Sequence, residues 1–141
     1  MEIKLRTTKI KYKNEDQSVQ INDGYKTQYF ILNTMLSLNI INSILFPFFV
    51  LEKDKLSMSW FIWLIVGGVS VALLLFQITR KSAAENLKVD EIISLEDKNF
   101  LGRETLSLKL KNGKFRDLIK VKSEQERQEI KSFFKNLGLE V

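Results

Sequence analysis

The sequence predicts a membrane α-helical hairpin of two transmembrane helices joined to a small α+β cytoplasmic domain, and three observations carry this prediction. Two apolar runs, residues 29–51 and 58–78, contain no Lys, Arg, Asp or Glu, although these make up 28% of the 141 residues. Each run is long enough to cross a bilayer as a helix. The linker between them begins with four charged residues. A soluble chain of this size is too small to surround two helices that are apolar on all sides.

Residue composition argues against most catalytic chemistry. The chain has no cysteine and no histidine, and therefore lacks a thiol nucleophile, disulfides and the commonest general base and metal ligand. Gly113-Lys114 lacks the glycine spacing and the following Ser or Thr of a phosphate-binding loop. We therefore expect a protein that is not an enzyme and that uses no metal or cofactor.

Charges beside the apolar runs predict the topology. Residues 1–28 carry six basic and four acidic side chains, residues 80–141 carry fourteen and eleven, and the linker carries two of each. Lys and Arg concentrate on the cytoplasmic side of a membrane. We therefore expect both termini in the cytoplasm of a bacterial cell, the linker outside its inner membrane, and a hairpin that occupies residues 29–79.

Small and amide side chains interrupt both apolar runs. Small residues four apart allow helices to approach closely, and an amide in hydrocarbon is costly unless it is hydrogen-bonded. Two interpretations fit this pattern: the amides are satisfied within the hairpin, or they are buried against another membrane subunit. The residues predicted to pack membrane helices are Asn33, Asn39, Asn42, Gly67, Gly68 and Ala72.

The N-terminal segment is predicted to form strands. Apolar and basic residues alternate over residues 3–6 and again over 9–13, and this period of two is typical of half-buried strands. Residues 14–16 are predicted as a turn before a second strand at 18–21. These strands are expected to complete the C-terminal sheet, because that segment alone has only about sixty residues and would be marginally stable.

The C-terminal segment is predicted to form an antiparallel sheet. Residues 89–95 fit a short strand, with a turn at 97–99. Residues 104–111 alternate between apolar and polar side chains, and Asn112-Gly113, the strongest short hairpin signal, follows them. Residues 114–121 are predicted as the partner strand.

A helix is predicted to close this sheet. Ser123 and Glu126 form a capping box, in which each side chain satisfies a free backbone amide of the other. Gly138 suits the end of the helix. The apolar residues that repeat at helical spacing, and so form its packing face, are Ile130, Phe133, Phe134 and Leu137.

A two-residue turn at Asn112-Gly113 would place Lys111 opposite Lys114 and Lys109 opposite Arg116. One face of the sheet would then be basic without an acid, and the other would be apolar with Asp117 as its exception. A basic face close to an anionic leaflet attracts lipids or a partner, whereas the alternative is a solvated face that protects a sheet edge. Too few aromatic residues interleave this patch for nucleic acid. The five basic residues are Lys109, Lys111, Lys114, Arg116 and Lys120.

The C-terminal segment resembles the last part of bacterial pleckstrin-homology-like domains. The resemblance covers residues 87–139 and depends on the stretches LSLKLKNGKFRDLIKV and SEQERQEIKSFFKNLGL. Earlier strands of such a domain would have to come from residues 1–22. These domains often lie beside one or two membrane helices, and the resemblance implies binding of lipids, peptides or partner proteins.

The predicted function is that of an accessory or scaffolding subunit of a membrane protein complex. Its partners would be membrane lipids and either another membrane protein or further copies of itself, without nucleic acid. An anionic-lipid-binding anchor or sensor is the alternative. A small oligomeric transporter or channel is a second alternative, which the absence of ionisable groups from both spans disfavours.

Overall fold

A computed structural model describes residues 2–5, 8–50, 58–100, 103–119, 121 and 123–141. The chain divides into two compact units. Unit 1 combines Met1–Thr27 with Arg80–Val141, and unit 2 is Gln28–Thr79. Both ends of the chain therefore contribute to unit 1, and unit 2 is inserted between them in sequence.

Two long helices, α1 (Tyr25–Val50) and α2 (Met58–Arg80), account for unit 2. Both are long and apolar enough to cross a membrane, over 22 and 21 residues. α1 begins four residues earlier than predicted, because a carboxylate oxygen of Asp23 accepts a hydrogen bond from the Tyr25 N–H (3.0 Å) and satisfies a free amide of the first turn. Residue 51, which the first predicted run included, lies outside the described residues.

The two helices pack against each other as an antiparallel hairpin. The start of α1 contacts the end of α2, and the later part of α1 contacts the earlier part of α2. The contacting pairs are Tyr29 with Gln77, Ser43 with Gly67 and Phe46 with Trp63.

One sheet of unit 1 joins the two ends of the chain. Its strands, in antiparallel order, are β1 (Glu2–Lys4), β2 (Lys9–Lys13), β3 (Ser18–Asn22) and β4 (Asn86–Lys88). The N-terminal strands therefore pair with β4 of the C-terminal segment, in a sheet separate from the three-stranded sheet of the C-terminal hairpin that they were predicted to complete.

The second sheet is antiparallel and contains three strands, β5 (Ile92–Phe100), β6 (Arg103–Leu110) and β7 (Phe115–Leu118). A single 3₁₀ turn, Val89–Glu91, precedes β5. The predicted strand at 89–95 is therefore wrong at its start, since β5 begins only at Ile92.

α3 (Glu124–Asn136) is the predicted C-terminal helix, and its boundaries are confirmed by both caps. The Ser123 hydroxyl accepts a hydrogen bond from the Glu126 N–H (3.2 Å), and the Glu126 carboxylate accepts one from the Ser123 N–H (3.4 Å). Beyond the helix, Gly138 has a φ of 80°, the left-handed conformation that ends helices.

One hydrophobic core joins both sheets and α3. The predicted packing face of α3 is confirmed, because Ile130, Phe133 and Phe134 are buried. The other buried apolar residues of this core are Leu5, Ile10, Val19, Ile21, Leu87, Ile92, Leu95, Leu106, Leu108, Leu110 and Leu118.

Residues 97–99 lie within β5 and do not form the predicted turn. Neighbouring residues of a strand point to opposite faces. Asp97 forms ion pairs with Lys131 and Arg127 of α3, whereas Lys98 lies on the other face against the ring of Phe115. These contacts on both sides of the strand outweigh the local turn preference of its polar residues.

Candidate functional site

The turn between β6 and β7 has three residues and not the predicted two. The Leu110 N–H donates to the Lys114 carbonyl (2.9 Å), and the Gly113 N–H donates to the Leu110 carbonyl (2.9 Å). A two-residue turn of type I′ needs positive φ at both Asn112 and Gly113. Here φ is 78° at Gly113 and is not positive at Asn112. The loop is therefore the three-residue kind, with glycine in the left-handed position.

This longer turn moves β7 by one residue, and such a shift reverses which side chains face the core. Arg116 lies opposite Leu108, and Asp117 lies opposite Ser107. The predicted pairing of Lys109 with Arg116 is therefore wrong. Asp117, the exception on the predicted apolar face, lies on the outer face of the sheet, away from the core.

Arg116 leaves the predicted basic face and is 0% exposed. Its guanidinium donates two hydrogen bonds to the Asp23 carboxylate (2.8 and 3.2 Å), and its Nε donates to the Ala84 carbonyl (3.0 Å). The Tyr25 ring lies 4.5 Å from the guanidinium carbon. Asp23 is 2% exposed and also accepts from the Ile119 N–H (3.2 Å). A buried pair with so many hydrogen bonds has a structural role.

The other residues of the predicted basic face do not share one surface. Lys109 lies on the outer face, where its Nζ is 3.3 Å from Glu96. Lys114 lies opposite Leu110, on the core side of the sheet, and Lys111 is exposed in the turn. Lys120 lies outside the described residues.

Asp117 organises a different polar centre on the outer face. One of its carboxylate oxygens accepts a hydrogen bond from the Ser107 hydroxyl (2.7 Å), and the other forms an ion pair with Lys81. Lys81 comes directly after α2, and the next residue, Ser82, donates its N–H to the Phe115 carbonyl (2.9 Å). The chain that leaves α2 therefore runs along the edge of β7 and brings Lys81 to Asp117.

Lys98 lies beside this pair. Its Nζ is 3.0 Å from the centre of the Phe115 ring, which is a cation–π contact. Burial lowers the pKa of the Lys98 ammonium below its usual 10.5, and the charge of Lys81 lowers it further. Among the described residues, no carboxylate oxygen lies within 4 Å of this ammonium. We call Lys81, Lys98 and Lys109 the outer lysine cluster.

In unit 2, Gly67 is the small residue at the contact between the helices. A Cβ atom at this position would lie 2.6 Å from the Ser43 Cβ and 2.7 Å from its Oγ. A Cβ at Gly68 would meet nothing within 4 Å, and Ala72 is exposed. Gly68 and Ala72 therefore face away from the contact that Gly67 makes.

The three predicted asparagines of α1 have different surroundings. Asn33 is half-buried, and its side-chain oxygen has no hydrogen-bond donor among the described residues. Asn39 is half-buried, and its backbone carbonyl accepts the Ser43 hydroxyl (2.7 Å). Asn42 is exposed, and its side chain hydrogen-bonds to nothing in the described ranges.

Sequence reasoning missed the partners of both polar centres. Asp23 and Lys81 entered only as charges that flank the apolar runs, and Lys98 was assigned to a turn. One signal was available: Asp117 does not fit the apolar face on which a two-residue turn places it. A shift of one residue moves Asp117 to the outer face but places Arg116 on the apolar face, so this signal questions the two-residue turn without selecting the register.

Comparison of the chain with protein-family models, with curated proteins and with solved structures gives no match. Across the described ranges, no group of three or more Asp or Glu residues is placed to hold a metal ion. The fold defines a class of protein: an α+β unit assembled from both ends of a chain, with two apolar helices inserted between β3 and β4 in the sequence.

Proposed function

We propose that this chain is a non-catalytic two-pass protein of the bacterial inner membrane whose unit 1 lies in the cytoplasm and binds a partner. In this proposal it serves as an accessory or scaffolding subunit of a membrane protein complex. The observation that carries the proposal is the exposure of α1 and α2, since only 11% of each apolar window is buried.

The surfaces of these helices are compatible with a lipid environment. Phe30 is 69% exposed and Ile65 is 66% exposed, and further large apolar side chains are exposed as far as Leu45 in α1 and from Phe61 to Ile78 in α2. Soluble monomers rarely expose apolar patches larger than a few hundred Å². In a bilayer the same side chains face hydrocarbon, and the backbone N–H and C=O groups in the interior of each helix bond within it, except that Pro47 of α1 has no N–H to donate.

Charge supports the cytoplasmic placement of unit 1. Lys26 lies at the start of α1, and Arg80 and Lys81 lie at the end of α2, so basic residues flank both helix ends that connect to unit 1. Basic residues at these positions favour the cytoplasmic side.

The exposure of Asn42 supports the proposal that a partner binds this chain within the membrane. Asn42 lies within the candidate span Tyr25–Phe46, and an exposed amide in a membrane helix costs free energy when only lipid surrounds it. A second polypeptide that hydrogen-bonds this amide removes the cost. Asn42 thus favours burial against another subunit, whereas Gly67 belongs to the contact within the hairpin.

The pleckstrin-homology-like resemblance is part of this proposal. Residues 1–22 supply strands that precede the resembling segment, as the resemblance requires, and α3 follows the last strand. The insertion of two long helices between β3 and β4 departs from the usual arrangement of such domains. We take from the resemblance only the expectation that unit 1 binds a partner and catalyses no reaction.

The absence of cysteine allows a direct test of membrane topology. Single cysteines are introduced as Lys53→Cys in the linker, Asn14→Cys between β2 and β3, and Asn112→Cys after β6. A membrane-impermeant maleimide applied to spheroplasts is expected to label only Lys53→Cys, and to label the other two after permeabilisation. Release of the chain from membranes by alkaline carbonate would contradict insertion.

Partner binding is tested by purification in a mild detergent. Asn42→Leu is expected to reduce a stoichiometric partner, because it removes the exposed amide. Thr34→Val is the matched control, since Thr34 is also exposed on α1 but donates its hydroxyl to the Phe30 carbonyl of its own helix (2.9 Å). A chain that purifies alone, or equal partner recovery with both variants, would count against the accessory-subunit role; a complex of identical copies would point to self-association.

A further inference from the structure

The outer lysine cluster carries more positive charge than its acids neutralise. Lys81, Lys98 and Lys109 contribute three positive charges, and Glu96 and Asp117 contribute two negative charges. The cluster therefore keeps a net charge of one, on side chains that the strand register brings together on one face.

The two acids are already engaged. Asp117 uses one oxygen for Ser107 and the other for Lys81, and Glu96 is paired with Lys109. Lys98 alone of the three lysines has an aromatic ring in place of a carboxylate. The Lys98 side chain is half-buried, and its ammonium has no carboxylate of the described residues within 4 Å. Its N–H groups that are not bonded within the protein are therefore available to an anion and are otherwise solvated by water.

Position along the chain indicates where the anion comes from. Lys81 is the residue after Arg80, the last residue of α2. If α2 crosses the bilayer as proposed above, its end reaches the headgroup region, where the phosphates of lipids lie. Lys81 follows α2 directly in the chain and is therefore close to the headgroups, and Lys81 is the residue that pairs with Asp117.

We propose that the outer lysine cluster binds the phosphate of an anionic membrane lipid, with Lys98 as the principal ligand and Lys81 and Lys109 beside it. A phosphodiester carries one negative charge and has oxygens that accept several N–H donors, so it matches the net charge and the unused donors of the cluster. The phosphate site follows from the contacts in unit 1, and its lipid source rests on the proposed membrane insertion.

The proposal replaces the basic face that the sequence predicted. Only Lys109 is common to both sets, since Arg116 is buried against Asp23 and Lys114 lies on the other side of the sheet. Binding is therefore expected to depend on Lys98, and not on Arg116 or Lys111.

The test measures lipid binding to the full chain in mild detergent by native mass spectrometry, with phosphatidylglycerol and phosphatidylcholine titrated separately. Lys98→Gln is expected to weaken phosphatidylglycerol binding about tenfold, the loss that one charge-assisted hydrogen bond predicts. Lys98→Arg keeps the charge and is expected to keep most of the affinity. Lys11→Gln, which removes an exposed strand lysine far from the cluster in sequence, is the control for net charge.

Inorganic phosphate distinguishes the two sources of the anion. Failure of millimolar phosphate to displace phosphatidylglycerol supports a lipid site, whereas displacement that Lys98→Gln abolishes supports a site for free phosphate. Equal losses with Lys98→Gln and Lys11→Gln would overturn the proposal, as would equal binding of phosphatidylcholine. Unchanged lipid binding with loss of a co-purified protein would also overturn it and assign Lys98 to an acidic partner.

Hydrogen exchange of the core strands shows whether each variant is folded. Alkaline carbonate extraction of the same variants keeps the two proposals apart. A chain that resists extraction but binds lipid equally with and without Lys98 refutes the phosphate site and leaves membrane insertion standing. A chain that is extracted refutes insertion, whatever its affinity for phosphate.

Discussion

Two polar centres lie on opposite faces of the β5–β7 sheet, and they differ in how completely their charges are satisfied. On the inner face, Arg116 and Asp23 form a buried pair surrounded by backbone hydrogen bonds. On the outer face, Lys98 is half-buried, with the Phe115 ring against its ammonium and no carboxylate of the described residues within 4 Å, although Asp117 and Glu96 lie close enough to act on its charge. The inner centre balances its charges, whereas the outer centre keeps a net positive charge, on which the proposed anion site rests.

Adjacent residues of one short strand create both centres. Arg116 and Asp117 point to opposite faces because a strand is pleated, and the three-residue turn decides which of them is buried. Each then meets a residue from beside one of the long helices, since Asp23 precedes α1 and Lys81 follows α2. The two residues that flank the long helices in sequence thus bond to the same strand.

The largest expected effect is at the inner centre. Asp23→Ala leaves the Arg116 guanidinium buried without its counter-ion, and breaking such a pair costs about 3–5 kcal/mol. The free energy of opening at β6, measured by hydrogen exchange of the full chain in detergent, is expected to fall by this amount. Asp16→Ala removes an exposed carboxylate of the β2–β3 turn and is the control.

A double variant separates the net contribution of the ion pair from the cost of leaving one buried charge without its partner. Asp23→Leu combined with Arg116→Met removes both charges, and apolar replacement of a buried ion pair is often neutral or stabilising. Protection of β6 should therefore recover much of what Asp23→Ala loses. Protection in the double variant no better than in Asp23→Ala would mean that the hydrogen bonds to Ala84 and Ile119, and not the buried charge, dominate this centre.

A smaller effect is expected at the outer centre. Asp117→Asn keeps the shape of the side chain but deprives Lys81 of its ion pair, and a hydrogen bond to a charged group contributes about 1.5–3 kcal/mol. Because the two side chains retain some exposure, at 16% and 18%, we expect a loss near the lower value. The same change raises the net charge of the outer lysine cluster, so phosphatidylglycerol should bind more tightly. Weaker lipid binding would mean that Asp117 positions the lysines.

Gly113 tests how firmly the turn fixes the two faces. At a φ of 78°, alanine costs about 1–2 kcal/mol, and a Cβ meets nothing within 4 Å, so strain in the backbone is the only penalty. Gly113→Asn should cost less, because asparagine tolerates the left-handed conformation. Equal losses for the two variants would indicate that the turn changes its conformation.

Sequence patterns predicted the elements whose signals are local. Ser123, Glu126 and Gly138 define α3 because caps act within a few residues, and the apolar runs define α1 and α2 by length. The register of β7 was not predictable from Asn112-Gly113, since this pair occurs in both two-residue and three-residue turns. What selects the register is the burial of Arg116 against Asp23, a partner 93 residues away that no local pattern indicates.

The smallest effect concerns Lys98 and has a defined pH dependence. Burial and Lys81 lower the pKa of Lys98 in the folded chain below the 10.5 of the unfolded chain. Between these two values the unfolded chain binds more protons, so folding becomes more stable as the pH rises through this window. At neutral pH and without anionic lipid, Lys98→Met should therefore be slightly more stable than the wild type, and the difference should shrink as the pH approaches 10.5.

Anionic lipid should reverse the order of these two proteins. Phosphatidylglycerol stabilises the folded chain in proportion to how tightly it binds, and it binds the wild type better if Lys98 holds its phosphate. With lipid present at neutral pH, β6 amides of the wild type should therefore exchange more slowly than those of Lys98→Met. If the same protein of the two is more stable with and without lipid, the ring of Phe115 satisfies Lys98 fully. The two faces of the sheet would then differ in exposure but not in their capacity to bind an anion.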